Sequence, residues 1–225
     1  MPDYHAQKAY WEGLTDRRPP EHPSVRAFCA PKINIVRREV GDHGQTMLEV
    51  GAGNGFFTYE LMRYFVLTAL DFSDNMLRMN PAPARRKIRG DAQFLPFDDD
   101  SFDIVLCGNL LHHLPDPIVA VREMARVARR HVALIEPNAL NPAMLGFGLL
   151  KREERGSIRF TPRYLRTLGG ESGLRLRRFV TQGTILPNRT PCMLLPLLRP
   201  LDFPQPFAFY NVAVFDAATG SVGDG

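Results

Sequence analysis

Three glycines, Gly51, Gly53 and Gly55, follow the apolar run MLEV and precede GFFTYELMRYF. Glycine lets a chain turn sharply and leaves no Cβ between the backbone and a ligand. A strand, such a loop and a helix together make a ligand cradle at the carboxyl edge of a sheet. Asp71 closes a second apolar run 20 residues after Gly51, where a carboxylate can accept hydrogen bonds from two ribose hydroxyls. Asp91 opens the next segment, RGDAQFLPF. Further on, FDIVLCGNLLHHLPDP ends an apolar run at Asn109 and the pair His112–His113, and HVALIEPN ends on Glu136. Imidazole titrates near neutrality and can take a proton from a hydroxyl. A carboxylate at a neighbouring strand end can orient that imidazole or bind a substrate hydroxyl.

The loop excludes two common ligands. A dinucleotide fingerprint reads GxGxxG, and Phe56 stands where its third glycine belongs. A phosphate-binding P-loop would continue into Gly-Lys-Ser/Thr, which is absent.

Strands and helices that alternate must position these residues. TMLEV, FVLTALD, AQFLPF, SFDIVLCGN, HVALIEPN, LRLRRFVTQG and FYNVAVFDA read as strands. GFFTYELMRYF, SDNMLRMN, PDPIVAVREMARVARR and TPRYLRTLGGESG read as helices, with Ser73 and Thr161 as N-caps. The alternation predicts an α/β fold: a doubly wound, mostly parallel, Rossmann-like seven-stranded sheet with helices on both faces and an antiparallel last strand. Residues 1–44 form a helical lead-in, expected to act as a lid, and 45–218 the main domain. An apolar, proline-rich insert occupies 184–208, and 219–225 is expected to be a disordered tail.

Glycine loop, two acids and a polar strand end occur in the order and spacing of one family. Residues 45–138 closely resemble the class I S-adenosylmethionine-dependent methyltransferases, in the branch of small-molecule and ubiquinone/menaquinone-type enzymes. The resemblance implies S-adenosyl-L-methionine as cofactor and S-adenosyl-L-homocysteine as product. It places Glu49, Gly51, Ala52 and Gly53 under the methionine portion, and Asp71 on the ribose hydroxyls. Phe72 and Met76 would cover the adenine, Asp91 and the Ala92 amide would bind its edge, and Asn109 would contact the amino-acid portion. A sulfonium with a zwitterionic tail brings no phosphate, so carboxylates and carbonyls suit it better than lysines.

Methyl transfer from a sulfonium is an in-line displacement in which placing the nucleophile does much of the work. Family members that methylate planar nitrogens carry Asn/Asp-Pro-Pro-Tyr/Phe after the fourth strand; here NLLHHL stands instead. A cytosine carbon would require a Pro-Cys nucleophile at this edge, and Pro191–Cys192 lies far down the chain. His112 is therefore the expected base and Glu136 its partner, with His113 structural. The first expectation for the acceptor is a hydroxyl oxygen of a sugar, lipid-linked or natural-product metabolite. Carbon methylation of a quinone-type ring and non-catalytic cofactor binding stay open beside it.

Bulk properties narrow the partners. The 225 residues are 44% hydrophobic and 23% charged, with a net charge of +4, as in an ordinary globular protein. The basic residues are scattered through RRKIR, RVARRH and KREER, so no nucleic-acid partner is expected. Cys29, Cys107 and Cys192 form no CxxC pair, and no histidine cluster has ligand spacing. No metal is expected, and a reducing cytoplasm is the expected setting. No run reaches the length of a membrane span. The 184–208 insert could cover an apolar acceptor, touch a membrane surface or form a dimer interface, so both monomer and homodimer are open.

Overall fold

The computed structural model describes residues 4–41 and 44–217; the tail expected to be disordered lies outside them. Seven strands form one sheet: β1 (Thr46–Val50), β2 (Val66–Asp71), β3 (Lys87–Arg89), β4 (Phe102–Gly108), β5 (Ala128–Pro137), β6 (Arg175–Gln182) and β7 (Tyr210–Asp216). Their spatial order is β3-β2-β1-β4-β5-β7-β6. The β1–β2, β2–β3, β1–β4 and β4–β5 pairs are parallel, while β7 runs antiparallel to both its neighbours. That is the doubly wound sheet expected from the strand–helix alternation. The chain winds outward from β1 to β3, then returns to place β4 on the other side of β1. This reversal opens a crevice at the carboxyl ends of β1 and β4, where ligands bind in such sheets.

The central strands are continuous apolar runs because both faces of the sheet are covered. With a period of two, Leu48, Val50, Val105, Cys107, Val132 and Leu134 enter one core, and Met47, Ile104, Leu106, Ala133 and Ile135 enter the other. Helices α5 (Pro117–Val127) and α7 (Pro162–Glu171) close the first layer with Val121, Met124, Leu165 and Leu168. Helix α2 (Pro23–Val40) closes the second with Val25, Phe28, Ile33 and Val36. The expected caps are present: Ser73 Oγ accepts from Met76 N at the start of α4 (Asp74–Met79), and Thr161 Oγ1 accepts from Tyr164 N. Among the described residues no helix is long and apolar enough to cross a membrane.

Three elements differ from their expected extents. The third strand is Lys87–Arg89, before Asp91 and not after it. AQFLPF is instead a turn, closed by an Asp91–Phe94 bridge. Asp91 Oδ1 accepts from Gln93 N and bends the chain, while Pro96 has no N–H to give a ladder. In GFFTYELMRYF only α3 (Thr58–Leu61) is regular helix. Phe56, Phe57, Leu61 and Phe65 are all buried there, more apolar surface than one helical stripe can turn inward. Finally, α5 stops at Val127 because Ala128 already pairs with Phe102 at the start of β5.

Gly55 sits at φ 92°, and a Cβ there would lie 2.2 Å from Pro81 Cδ, part of a ring that cannot swing away. Left-handed strain and forced overpacking add, so Gly55→Ala is expected to lower stability by about 2–4 kcal/mol. Urea unfolding checks this; a loss below about 1 kcal/mol would mean that the loop relaxes freely.

Candidate functional site

The crevice holds a cavity of about 540 Å³ whose walls include Gly51, Ala52, Gly53, Asp71, Phe72, Met76, Asn109 and His112. That volume suits a small-molecule ligand. A side pocket of about 30 Å³ lies between Phe72, Ala92, Leu110 and Leu114. Sequence positions spread over 60 residues thus converge because the loops after β1, β2 and β4 all leave the same edge of the sheet.

Asp71 ends β2 and braces the glycine loop. Its Oδ2 accepts from Gly53 N at 2.8 Å and its Oδ1 from Ser73 N at 2.9 Å. Burial pushes its pKa up, against those two hydrogen bonds. Each oxygen keeps a lone pair for a ligand hydroxyl. Asn109 follows β4 in a left-handed conformation, φ 56°, which asparagine tolerates better than most residues. Its Oδ1 is buried on the cavity wall with no hydrogen-bond partner. Such an atom costs free energy until a donor reaches it. A Cβ on Gly53 would meet no protein atom within 4 Å, so the open space beside that backbone belongs to the cavity.

Two expected site residues are engaged with other protein groups. Glu49 does not line the cavity: its Oε2 accepts from Thr58 Oγ1 at 2.6 Å, and Asn80 links that hydroxyl to the Gly53 carbonyl. Burial lifts the Glu49 pKa to about 8, overcoming the Thr58 hydrogen bond, so the group is neutral at pH 7. It clamps the loop from below. Asp91 lies near the side pocket, but its Oδ2 pairs with Lys8 Nζ at 3.0 Å. Lys8 belongs to α1 (Tyr4–Gly13), the lead-in helix, whose Tyr10 and Trp11 line the cavity.

The His112 side of the cavity is built from a chain of charges. Glu136, fully buried at the end of β5, accepts from Leu110 N, Leu111 N and His112 Nδ1. The His112 contact is 2.6 Å, and His112 Nε2 meets Glu154 Oε2 at 3.2 Å. Burial alone would depress the His112 pKa, but the two carboxylates outweigh it and lift it to about 9. The imidazole therefore carries a proton at neutral pH while Glu154 stays in place. Burial and the neighbouring His112 charge push His113 down to about 3, so it is neutral. The His112 hydrogen bond and nearby charge overcome burial to hold Glu154 at about 2.

Sequence reasoning missed Glu154, Lys8 and Arg17. Arg17 packs over Phe56 (4.4 Å) and Trp11 (5.3 Å) on the cavity wall. Burial lowers its pKa to about 10, so it remains a cation, and its Nε has no hydrogen-bond partner. Both Arg17 and Glu154 lie in segments that read as lead-in and connector, with no local pattern marking them. No metal set was expected, yet His112, His113 and Glu154 each bring one donor atom within 4.8 Å of the others.

The fold is a Rossmann-like doubly wound sheet with a crevice at its carboxyl edge. Residues 48–135 match a family model described as a methyltransferase domain. A demethylmenaquinone methyltransferase from Staphylococcus haemolyticus is 37% identical over 95 residues, 38% of this chain and 40% of the relative's length. Two solved structures share the fold across most of the chain. One is a Thermotoga maritima S-adenosylmethionine-dependent methyltransferase, described as a possible histamine N-methyltransferase (TM-score 0.66, 16% identity, covering 87% of this chain and 92% of that one). The other is a Synechocystis magnesium protoporphyrin IX methyltransferase with bound S-adenosylhomocysteine (TM-score 0.64, 14% identity, covering 96% and 100%). Residues 48–135 thus resemble a methyltransferase domain, the fold across the chain is that of solved S-adenosylmethionine-dependent methyltransferases, and the chain spans about 40% of the length of the curated relative it matches. The residues present suit that family's cofactor: the orphaned Asn109 oxygen suits an ammonium, and the open backbone at Gly53 leaves room for its methionine arm.

Two substitutions test this site. Gly53→Ala is expected to cost about 1 kcal/mol of stability from left-handed strain alone. It should weaken S-adenosylhomocysteine binding at least tenfold by calorimetry, the opposite balance from Gly55→Ala. For Glu49, a carboxyl whose folded pKa is raised from 4.5 to about 8 holds an extra proton in the folded state between those values. Stability therefore falls as pH rises through that window, by on the order of 1 kcal/mol per unit. Glu49→Gln should flatten that slope in urea titrations between pH 5 and pH 8; an unchanged slope would place the protonation elsewhere.

Proposed function

We propose that the protein transfers the methyl group of S-adenosylmethionine to a hydroxyl oxygen of a small, largely apolar acceptor. The observation that carries this is the opposition of two walls in one cavity. Gly53, Asp71 and Asn109 form the cofactor wall, and the Glu136–His112–Glu154 chain faces the same space. In this reading Asp71 takes the ribose hydroxyls, Phe72, Met76 and Ala92 surround the adenine, and Asn109 Oδ1 takes the ammonium. Asp91 reaches the adenine edge while keeping Lys8. Arg17, the buried cation of the lid, binds the carboxylate of the methionine arm.

The bound sulfonium supplies an activated methyl: its S–CH₃ bond breaks as the O–CH₃ bond forms, leaving the thioether S-adenosylhomocysteine. The chain's own part is placement and proton handling. An acceptor hydroxyl that displaces the Glu154 carboxylate from His112 Nε2 removes one of the two charges holding the imidazole protonated. Glu136 continues to hold Nδ1–H, orients the ring and stabilises its cation. With the Glu154 charge gone the ring gives up its Nε2 proton to solvent, and the freed Nε2 lone pair takes the acceptor hydroxyl's proton as the O–CH₃ bond forms.

A second reading, carbon methylation of a quinone-type ring, draws on the curated relative and on the cavity mouth. Phe147 and Leu186 line that mouth, and Leu150 (88% exposed) and Met193 (83% exposed) lie in the flanking segments. Their apolar surface could meet a lipid-soluble acceptor or a membrane surface. Incubating the protein with labelled S-adenosylmethionine and a panel of phenols, quinols and hydroxylated lipids, then locating the label on oxygen or carbon, separates the readings.

Asp71→Ala is expected to weaken S-adenosylmethionine binding by tenfold or more, and Arg17→Ala to do so by the loss of a charge-assisted contact, about 1.5–3 kcal/mol. Unchanged calorimetric affinity in both would sink the cofactor assignment. His112→Ala should reduce turnover by about 100-fold or more while S-adenosylhomocysteine affinity stays within about twofold. Full activity in that variant would remove the proton-handling role.

A further inference from the structure

Two consecutive histidines and a glutamate from a distant segment meet at the acceptor end of the cavity. His112 and His113 follow β4, and Glu154 comes from the 3₁₀ stretch Arg152–Arg159. The outer nitrogens of the two rings are already committed. His112 Nδ1 donates to the buried Glu136 carboxylate at 2.6 Å, and His113 Nδ1 donates to the Glu153 carbonyl at 3.1 Å. A carbonyl can only accept, so His113 carries its proton on Nδ1 and its lone pair on Nε2. One partner is a carboxylate and the other a backbone oxygen. These are the two groups that fix the tautomer and ring direction of metal-bound histidines. The rings are held with centroids 3.9 Å apart, and one donor atom from each of His112, His113 and Glu154 falls within 4.8 Å of the others.

One pair has the spacing of donors to a shared ion, and the third donor lies within 4.8 Å of both. Donors about 2.1 Å from one metal lie roughly 3.0–3.4 Å apart for octahedral or tetrahedral geometry. His112 Nε2 and Glu154 Oε2 are 3.2 Å apart. The position between them that a proton bridges is therefore one an ion can take instead. His112 and Glu154 both line the cavity, so further coordination positions open toward the acceptor.

We propose that His112, His113 and Glu154 form a binding site for a divalent first-row transition ion, with Glu136 and the Glu153 carbonyl holding the two imidazoles in place. The donor set, two imidazoles and one carboxylate, suits Zn²⁺, Fe²⁺ or Mn²⁺ and discriminates against Ca²⁺ and Mg²⁺, which prefer oxygen. The site rests on the reading of this cavity as an acceptor pocket and deepens it. With the ion bound, His112 Nε2 is a ligand and no longer receives the hydroxyl proton: an acceptor oxygen would complete the coordination, the ion would make its hydroxyl more acidic at neutral pH, and that proton would pass to solvent. The favoured acceptors then carry a hydroxyl beside a second oxygen, so that they chelate.

The competing site in the molecule is the exposed Cys192, whose Sγ lies 3.7 Å from His22 Nε2. The test therefore uses the full chain carrying Cys192→Ser. Zn²⁺ binding is measured by calorimetry and equilibrium dialysis, and Co²⁺ binding by its visible absorption, which reports coordination geometry without any turnover. The expected result is one ion per chain, with affinity falling at least tenfold in Glu154→Gln and in His113→Gln. Thermal unfolding identifies any variant that fails to fold, and Glu154→Gln, which keeps the side chain's shape, then decides. Equal affinity in Glu154→Gln and its parent, or binding that disappears with Cys192→Ser alone, overturns the proposal. S-adenosylhomocysteine calorimetry run on the same samples separates this failure from that of the methyltransferase reading: cofactor binding without metal binding sinks only the ion site.

Discussion

The buried carboxylate of Glu136 is the constraint on which the His112 half of the cavity depends. It sits at the end of β5 with no exposed surface and accepts three hydrogen bonds, from Leu110 N, Leu111 N and His112 Nδ1. A buried charge with fewer partners would be costly. Satisfied as it is, it holds the turn after β4 against the neighbouring strand. That turn contains Asn109 in its left-handed conformation, anchored by Asn109 N to the Ile135 carbonyl at 2.8 Å. The orphaned Asn109 oxygen and the orientation of His112 are thus consequences of one carboxylate bridging two parallel strands.

The glycine-loop half has an equivalent brace in Asp71, which ties the end of β2 to the loop after β1, and in the Glu49–Thr58–Asn80 clasp beneath it. Between these braces the cavity wall combines backbone and polar groups with aromatic rings such as Trp11, Phe56 and Phe72. Over this frame lies the lead-in. Helix α1 contributes Lys8 to Asp91 and Trp11 edge-on to His113, and Arg17 follows it into the cavity.

Much of the fold was legible because periodicity and apolar runs report burial directly. MLEV, FDIVLCG and HVALIEP are strands buried on both faces, and the caps at Ser73 and Thr161 mark helix starts by local hydrogen bonding alone. The third strand was misplaced because KIR is short and basic. Its pairing is set by β2, and the more apolar AQFLPF is turned by Asp91 and Pro96. Helix α5 was read too long, since Ala128–Arg130 suits a helix by propensity and a strand only by its partner.

By itself the sequence determined the glycine loop, the acids at positions 71 and 91, the polar end of β4 and the order of elements that brings them to one edge. Each of these depends on residues close in the chain, where spacing and geometry are nearly the same thing. Tertiary structure alone decided that Glu49 braces the loop from outside the cavity, that Lys8 occupies Asp91, and that Arg17 and Glu154 enter the site from segments without a motif. It also decided the protonation of His112, because a pKa depends on charges and burial contributed by residues 24 and 42 positions away in the chain.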